Sequence, residues 1–244
     1  MLQAVVERVR DSLPSLCAVC HAWGKRPVCD DCIARFAQPL VRCRSCALPL
    51  PGAAGSRERL QCGACLRNPP PLDECIAAVS YAYPWDGLIT RFKFHAHPGL
   101  AHLLASLLRS APWAEPALDT ARWLLPMPLA TGRLRERGFN QAHELAKHLT
   151  TGPRAAVLDA NMLLRIRETA AQNTLRRSQR LSNVRAAFAI DPLRANLLRG
   201  QRVVIVDDVM TSAASIHAAA TVVREAGAAS ITALVVARTD EPGD

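Results

Sequence analysis

The chain has 244 residues, half of them hydrophobic, which is enough for one ordinary domain plus a small one. No run approaches the roughly 18 apolar residues of a membrane span, and Glu7, Arg8 and Arg10 interrupt the first stretch so that it has no secretory apolar region. The net charge of +9, carried mostly by Arg, suits a phosphate-rich partner, either nucleic acid or a phosphorylated small molecule, and a cytoplasmic protein without a membrane span is expected.

Leu2, Val5, Val6, Val9 and Leu13 fall near helical spacing and predict a short amphipathic helix. All nine cysteines follow between residues 17 and 75. Eight of them form four C-x2-C pairs: Cys17/Cys20, Cys29/Cys32, Cys43/Cys46 and Cys62/Cys65. Each pair presents two thiolates from one tight knuckle, and two knuckles complete a closed tetrahedral site of the structural kind. Four pairs therefore imply two structural Zn2+ ions, paired sequentially as two small ribbons or interleaved. In a chain without an export signal, thiols stay reduced, which argues against disulfides. A thioredoxin-like role is disfavoured because no pair opens a helix after a strand. Cys75, left over at the start of a strand, reads as a core residue. The composition break and the Pro-rich Arg67–Leu72 segment divide the chain into 1–72, an N-terminal helix and double zinc ribbon, and 73–244.

Beyond the break, Ile76–Tyr83 has the length and residue types of a strand. Pro98 opens a helix with Leu100, Leu103, Leu104, Leu107 and Leu108 on one face. Trp123–Met127 reads as a buried strand, followed by a polar, Arg-rich loop and a helix with Ala142, Leu145, Ala146 and Leu149 on one side. Leu158–Leu164 and Ala186–Ile190 are weaker strand candidates, and Val203–Val206 is the clearest. Ile216, Ala219, Ala220 and Val223 give the next helix its core face before Gly227 ends it, and Ile231–Ala237 closes the pattern as a strand. Strands alternating with helices at these distances predict a parallel α/β sheet.

The most informative stretch is Val203–Ser215, VVIVDDVMTSAAS. Two carboxylates, Asp207 and Asp208, sit where a buried strand leaves the sheet, the place where open α/β sheets bind ligands. The small residues that follow turn the chain into a helix, whose N-terminal amides and dipole hold a phosphate. Thr211, Ser212 and Ser215 add hydroxyl donors, with Ala213 and Ala214 between them. The two acids accept hydrogen bonds from ribose hydroxyls, directly or through metal-bound water. The ordered combination resembles the phosphoribosyl pyrophosphate (PRPP) motif of type I phosphoribosyltransferases.

Two Arg-rich segments accompany it, Leu125–Leu149 and Arg165–Ile190. Guanidinium groups pair bidentately with phosphate oxygens, and Arg135, Arg137 and Arg167 crowd a predicted strand exit. The RGFNQA string (Arg137–Ala142), the R-x-T-x-x-Q run from Arg167 to Gln172 with Asn183 downstream, and the four cysteine pairs in front together resemble the ComF (GntX-like) family from about Leu13 to Ala237. The resemblance implies a double zinc ribbon followed by a phosphoribosyltransferase domain, with an association with competence and DNA uptake. It also implies that Ala130–Asn140 is the pyrophosphate loop and Arg167–Asn183 a mobile hood. The sequence departs from the family at Ala213, where Gly is usual, and Ser stands at 212 and 215 where Thr is more common. A Gly there permits φ > 0 or a close approach of backbone to phosphate.

Two functions fit these features. The first is an enzyme that transfers the 5-phosphoribosyl group from Mg2+-bound PRPP to an acceptor such as a nucleobase, releasing pyrophosphate, with Asp207 and Asp208 fixing the ribose. The second is a non-catalytic module that binds PRPP, a nucleotide or single-stranded DNA while the zinc domain contacts DNA-uptake proteins. Only Phe139 lies inside an Arg loop, which leaves little for base stacking.

Overall fold

The computed structural model describes residues 15–52, 60–94, 99–150, 155–167 and 187–240. The helix expected over Leu2–Leu13 lies outside the described residues, as does nearly all of the hood segment Arg167–Asn183. A two-stranded antiparallel ribbon, β1 (Ser15–Leu16) and β2 (Trp23–Gly24), is followed by α1 (Asp30–Phe36) and α2 (Gly63–Arg67). Then come β3 (Glu74–Ser80), α3 (Trp85–Phe94), α4 (Leu100–Arg109), α5 (Ala114–Thr120) and β4 (Trp123–Pro126). The chain continues through α6 (Thr131–Arg137), α7 (Gln141–Leu149), β5 (Val157–Leu158), β6 (Leu163–Arg165) and β7 (Phe188–Ile190). It closes with β8 (Arg202–Met210), α8 (Ala214–Glu225) and β9 (Ser230–Arg238).

Five strands form one parallel sheet in the order β3-β9-β8-β4-β5, while β6 and β7 make a separate antiparallel pair. The predicted α/β class is therefore the observed one. Strand side chains alternate between faces, and both faces of this sheet are covered. Val204, Val206, Leu234 and Val236 join Leu104, Leu108 and Leu145 on one side. Val203, Ile205, Ala233 and Val235 join Ile216, Ala219 and Val223 of α8 on the other. Each fully buried Leu or Val in these layers is worth about 1.5–3 kcal/mol relative to exposure. The two halves of the cysteine region divide between the layers: Cys17 and Cys32 belong to the first, and Cys43, Cys46 and Cys65 to the second. The Trp85 indole N–H donates to the Phe36 carbonyl at 2.8 Å and ties the first of these halves to α3.

The strand expected over Ile76–Tyr83 runs from Glu74 to Ser80, α3 and α5 were not expected, and three further elements differ. The Arg-rich loop contains a helix, α6, which buries none of its residues and so has no apolar stripe for periodicity to detect. The single strand expected over Leu158–Leu164 is two strands in two different sheets. The strand expected to end at Val206 runs on to Met210, because β9 pairs with it along its length, from Arg202↔Ser230 to Met210↔Arg238.

That extension builds the site. Pairing between β4 and β8 stops at Pro126↔Val206, whereas β8 and β9 continue past it. Beyond β4 the chain proceeds outward to β5, and beyond β8 it proceeds the other way to β9. The strand order reverses between β4 and β8, and at such a switch point the loops diverge and leave a crevice at the carboxyl ends of the strands.

Candidate functional site

A cleft of about 290 Å³ occupies this switch point. It is lined by Asp207, Asp208 and the loop Thr211–Ser215 from β8 and the start of α8, by Arg133, Arg137, Asn140 and Gln141 from the segment after β4, and by Lys93, Tyr81 and Arg165. Thr211 and Ser212 are exposed and Ser215 is half-buried, so their hydroxyls are open to a ligand. Of the predicted arginines, Arg137 lines the cleft. Arg135 is exposed on α6, and Arg167 is exposed just before the segment that is not described; neither is among the lining residues. Sequence reasoning missed Lys93 and, within the two Arg-rich segments, passed over Arg133 and Arg165.

The acids are held in a particular electrostatic state. Asp208 is 6% exposed, and its Oδ1 lies 3.1 Å from Lys93 Nζ. The Asp208 amide donates to Asp207 Oδ1 at 2.9 Å. Burial first, and then the neighbouring Asp208 carboxylate, push the Asp207 carboxyl up to about 7.

The RGFNQA string has a structural task at each informative position. Gly138 takes φ 77° and ends α6 in the left-handed conformation that glycine adopts without penalty, its amide donating to Leu134 O at 2.9 Å. The Phe139 ring packs on Phe92, centroids 5.6 Å apart. Asn140 caps α7, accepting from Ala142 N at 2.9 Å and His143 N at 3.3 Å, while its Nδ2 donates to Met127 O at 3.0 Å. Gln141 Oε1 accepts from Arg137 Nη1 at 3.0 Å. The string therefore fixes the turn that aims Arg137 into the cleft, where its guanidinium also lies 4.7 Å from the Phe94 ring centroid. Arg137 Nε is buried and has no hydrogen-bond partner among the described residues. A buried donor left so is costly unless an acceptor arrives, and burial lowers the Arg137 pKa from its ordinary value.

Ala213 caps α8 with φ 62° and ψ −6°, in the left-handed region, and is 8% exposed. Of the two reasons for glycine at this position, positive φ is the one the structure displays. The cost to a non-glycine residue is about 1–2 kcal/mol, and such strain persists where the surroundings over-determine it, often at ligand sites.

The eight paired cysteines gather sequentially as Cys17, Cys20, Cys29, Cys32 and as Cys43, Cys46, Cys62, Cys65, with the sulfurs of each group within 4.8 Å of one another. Sulfur pairs stand 3.9 Å apart (Cys17–Cys32), 3.6 Å (Cys20–Cys29) and 3.7 Å (Cys46–Cys62). A tetrahedron of thiolates around Zn2+ with bonds of ~2.3 Å has edges of about 3.8 Å, whereas a disulfide would draw sulfurs to ~2.05 Å. In each group the backbone N–H of the third cysteine donates to the sulfur of the first, at 3.4 Å for Cys29 to Cys17 and 3.3 Å for Cys62 to Cys43. Soft sulfur donors at this spacing fit zinc. Cys75 is 1% exposed, as a core residue should be, its sulfur 3.4 Å from that of Met210.

Fold and clusters together define the class: a type I phosphoribosyltransferase-like α/β domain preceded by a double four-cysteine ribbon. Comparison with known proteins agrees. A family profile described as "Phosphoribosyl transferase domain" matches residues 135–243. The DNA utilization protein YhgH of Salmonella typhimurium is 29% identical over 238 residues, covering 93% of this chain and 99% of that protein. Competence protein F of Haemophilus influenzae is 30% identical over 181 residues, 72% of this chain and 78% of its own. Competence protein ComFC of Bacillus subtilis is 28% identical over 151 residues, 62% of this chain and 58% of its own. The chain belongs to the ComF family. No helix among the described residues is long and apolar enough to cross a membrane.

Proposed function

We propose that this chain is a PRPP-binding, phosphoribosyltransferase-like protein serving competence and DNA uptake, and that it transfers the 5-phosphoribosyl group to a nitrogen acceptor. The observation that carries this reading is a paired-acid strand end and a left-handed small-residue loop that share one cleft with Arg133 and Arg137.

In this reading the amides and hydroxyls of Thr211, Ser212, Ala213, Ala214 and Ser215 grip the 5-phosphate at the start of α8. Asp207 and Asp208 accept hydrogen bonds from the ribose hydroxyls, and their negative charge stabilises the cation that develops on the ring as pyrophosphate leaves. Arg137 and Arg133, which line the same cleft, neutralise the pyrophosphate, with the exposed Arg135 and Arg167 also drawn to it. Lys93, which neutralises Asp208 in the free protein, exchanges that partner for a phosphate oxygen. The carboxylates of Asp207 and Asp208 are hard oxygen ligands that fit Mg2+ through its waters, and the ion adds charge neutralisation on the leaving group. The two cysteine clusters hold Zn2+ as closed structural sites. We place the domain boundary at residue 72, with 1–72 as the zinc ribbon and 73–244 as the transferase-like domain.

The test is pyrophosphate release from Mg-PRPP across a panel of nucleobases, beside thermal shift with Mg-PRPP alone. Release with one base supports the transferase. A thermal shift without release leaves the binding reading and removes the transfer step. If single-stranded DNA stabilises the protein and Mg-PRPP does not, the cleft has been misread.

A further inference from the structure

Arg238, the last residue of β9, is 4% exposed, and its guanidinium touches two regions that the sequence keeps far apart. Nε donates to the carbonyl of Cys46, in the second cysteine cluster, at 2.9 Å. Nη1 shares its two hydrogens among the carbonyls of Thr211 and Thr239, each at 2.6 Å, the carbonyl of Met210 at 3.1 Å and Thr239 Oγ1 at 3.3 Å; Met210 and Thr211 are the residues that carry β8 into the phosphate loop. A second buried arginine braces the same knuckle. Arg42, 6% exposed, donates through Nη1 to Ala47 O and through Nη2 to Ser80 Oγ, both at 3.1 Å. Ser80 ends β3 beside Tyr81, which lines the cleft and whose amide donates to Arg238 O at 2.8 Å.

A guanidinium keeps its charge inside a protein, so burying it requires acceptors that converge on it. Here the acceptors come from the knuckle, from the loop and from the neighbouring Thr239, so a shift of the knuckle breaks the charge-assisted bond at Nε and a shift of the loop takes two carbonyls away from Nη1. Cys46 supplies both the carbonyl that Arg238 holds and a sulfur of the second cluster, 3.7 Å from that of Cys62. At the other end stands Ala213, two residues past Thr211, in a conformation that only fixed surroundings maintain. Cys43, Cys46, Cys65, Met210, Ala213 and Ile216 share one buried core. The first cluster packs in the core on the opposite face of the sheet.

We propose that Arg238 is a positioning residue through which the metal-bound second cysteine cluster holds the phosphate loop in its anion-binding shape. The proposal rests on the reading of the cleft given above. Because coupling between two binding sites is reciprocal, a ligand on the loop strengthens metal retention at Cys43, Cys46, Cys62 and Cys65 and leaves Cys17, Cys20, Cys29 and Cys32 unaffected.

Zinc-loaded full-length protein is titrated with a chelator in the presence of a thiol-alkylating reagent, with and without saturating Mg-PRPP, and the labelled cysteines are mapped by mass spectrometry. Mg-PRPP is expected to raise the chelator concentration that half-labels the second set by about tenfold, with no effect on the first. Arg238→Gln is expected to keep both zinc ions, bind Mg-PRPP about tenfold more weakly and lose the protection, while Arg238→Lys, whose single ammonium cannot reach both carbonyl sets, falls between. A ligand-free arm follows amide hydrogen exchange of residues 209–216 in the parent, which should accelerate when zinc is withdrawn. Unchanged exchange there overturns the proposal whatever becomes of the variants, and so does Mg-PRPP protection that is equal in the two sets. If the parent fails to bind Mg-PRPP yet its loop exchange responds to zinc, the reading of the cleft fails and the coupling stands.

Discussion

Replacing Ala213 with Gly, beside the same change at Ala214, isolates the strain at the start of α8. Both methyls are buried, 8% and 5% exposed, and the residues are adjacent. Each substitution therefore removes a similar burial, about 0.8 kcal/mol per methyl-sized group, and adds similar unfolded-state freedom, about 0.4–1 kcal/mol. Only Ala213 is left-handed; Ala214 opens the right-handed helix. Gly at 213 recovers about 1 kcal/mol of backbone strain and Gly at 214 recovers none. Ala213→Gly should thus be near neutral to mildly destabilising, and Ala214→Gly should cost about 1–2 kcal/mol. For a chain of this size the two melting temperatures should differ by about 2–4 °C, measured by calorimetry or circular dichroism. The strain is already present in the free loop, so the Mg-PRPP dissociation constant of Ala213→Gly should stay within about twofold of the parent. Equal melting temperatures for the two variants would refute the left-handed assignment. A large gain in affinity would mean that the free loop does not hold this geometry.

Protein purified without added metal should contain two zinc ions per chain by elemental analysis, and a value near one or zero in folded, reduced protein rejects the two-site account. Asp207 carries a second prediction, in which the sign follows from its pKa being raised from 3.8 to about 7. Between those values the folded state holds a proton that the unfolded state has lost, so the parent loses stability as pH rises through this window. Asp207→Asn should melt a few degrees above the parent at pH 8 and show no gain near pH 4, and a gain independent of pH would contradict the burial argument.

What the sequence disclosed and what it hid follow from the range over which each signal acts. The C-x2-C pairs and the VVIVDD strand were legible because each is a local pattern whose chemistry needs only neighbours in the chain. Even so, the choice between sequential and interleaved pairing needed three dimensions. The extent of β8 was hidden because Asp207 and Asp208 look like a strand end. They stay in the sheet because β9 supplies hydrogen bonds as far as Met210↔Arg238. Lys93 lies in α3, more than a hundred residues from the acid it neutralises, and only the strand order brings it to Asp208. Arg238 could not be told from any other arginine at a strand end until its acceptors were visible. Ala213 was noticed as a departure from a familiar pattern, but its φ had to be observed.

The central claim is that Asp207 and Asp208 mark a PRPP site, and calorimetric titration of Mg-PRPP into the parent and into Asp207→Asn with Asp208→Asn tests it most directly. The amides keep the size of the carboxylates but lack their charge and part of their acceptor capacity. The account predicts a saturable heat in the parent and none in the folded double variant, and equal binding by the two proteins would contradict it.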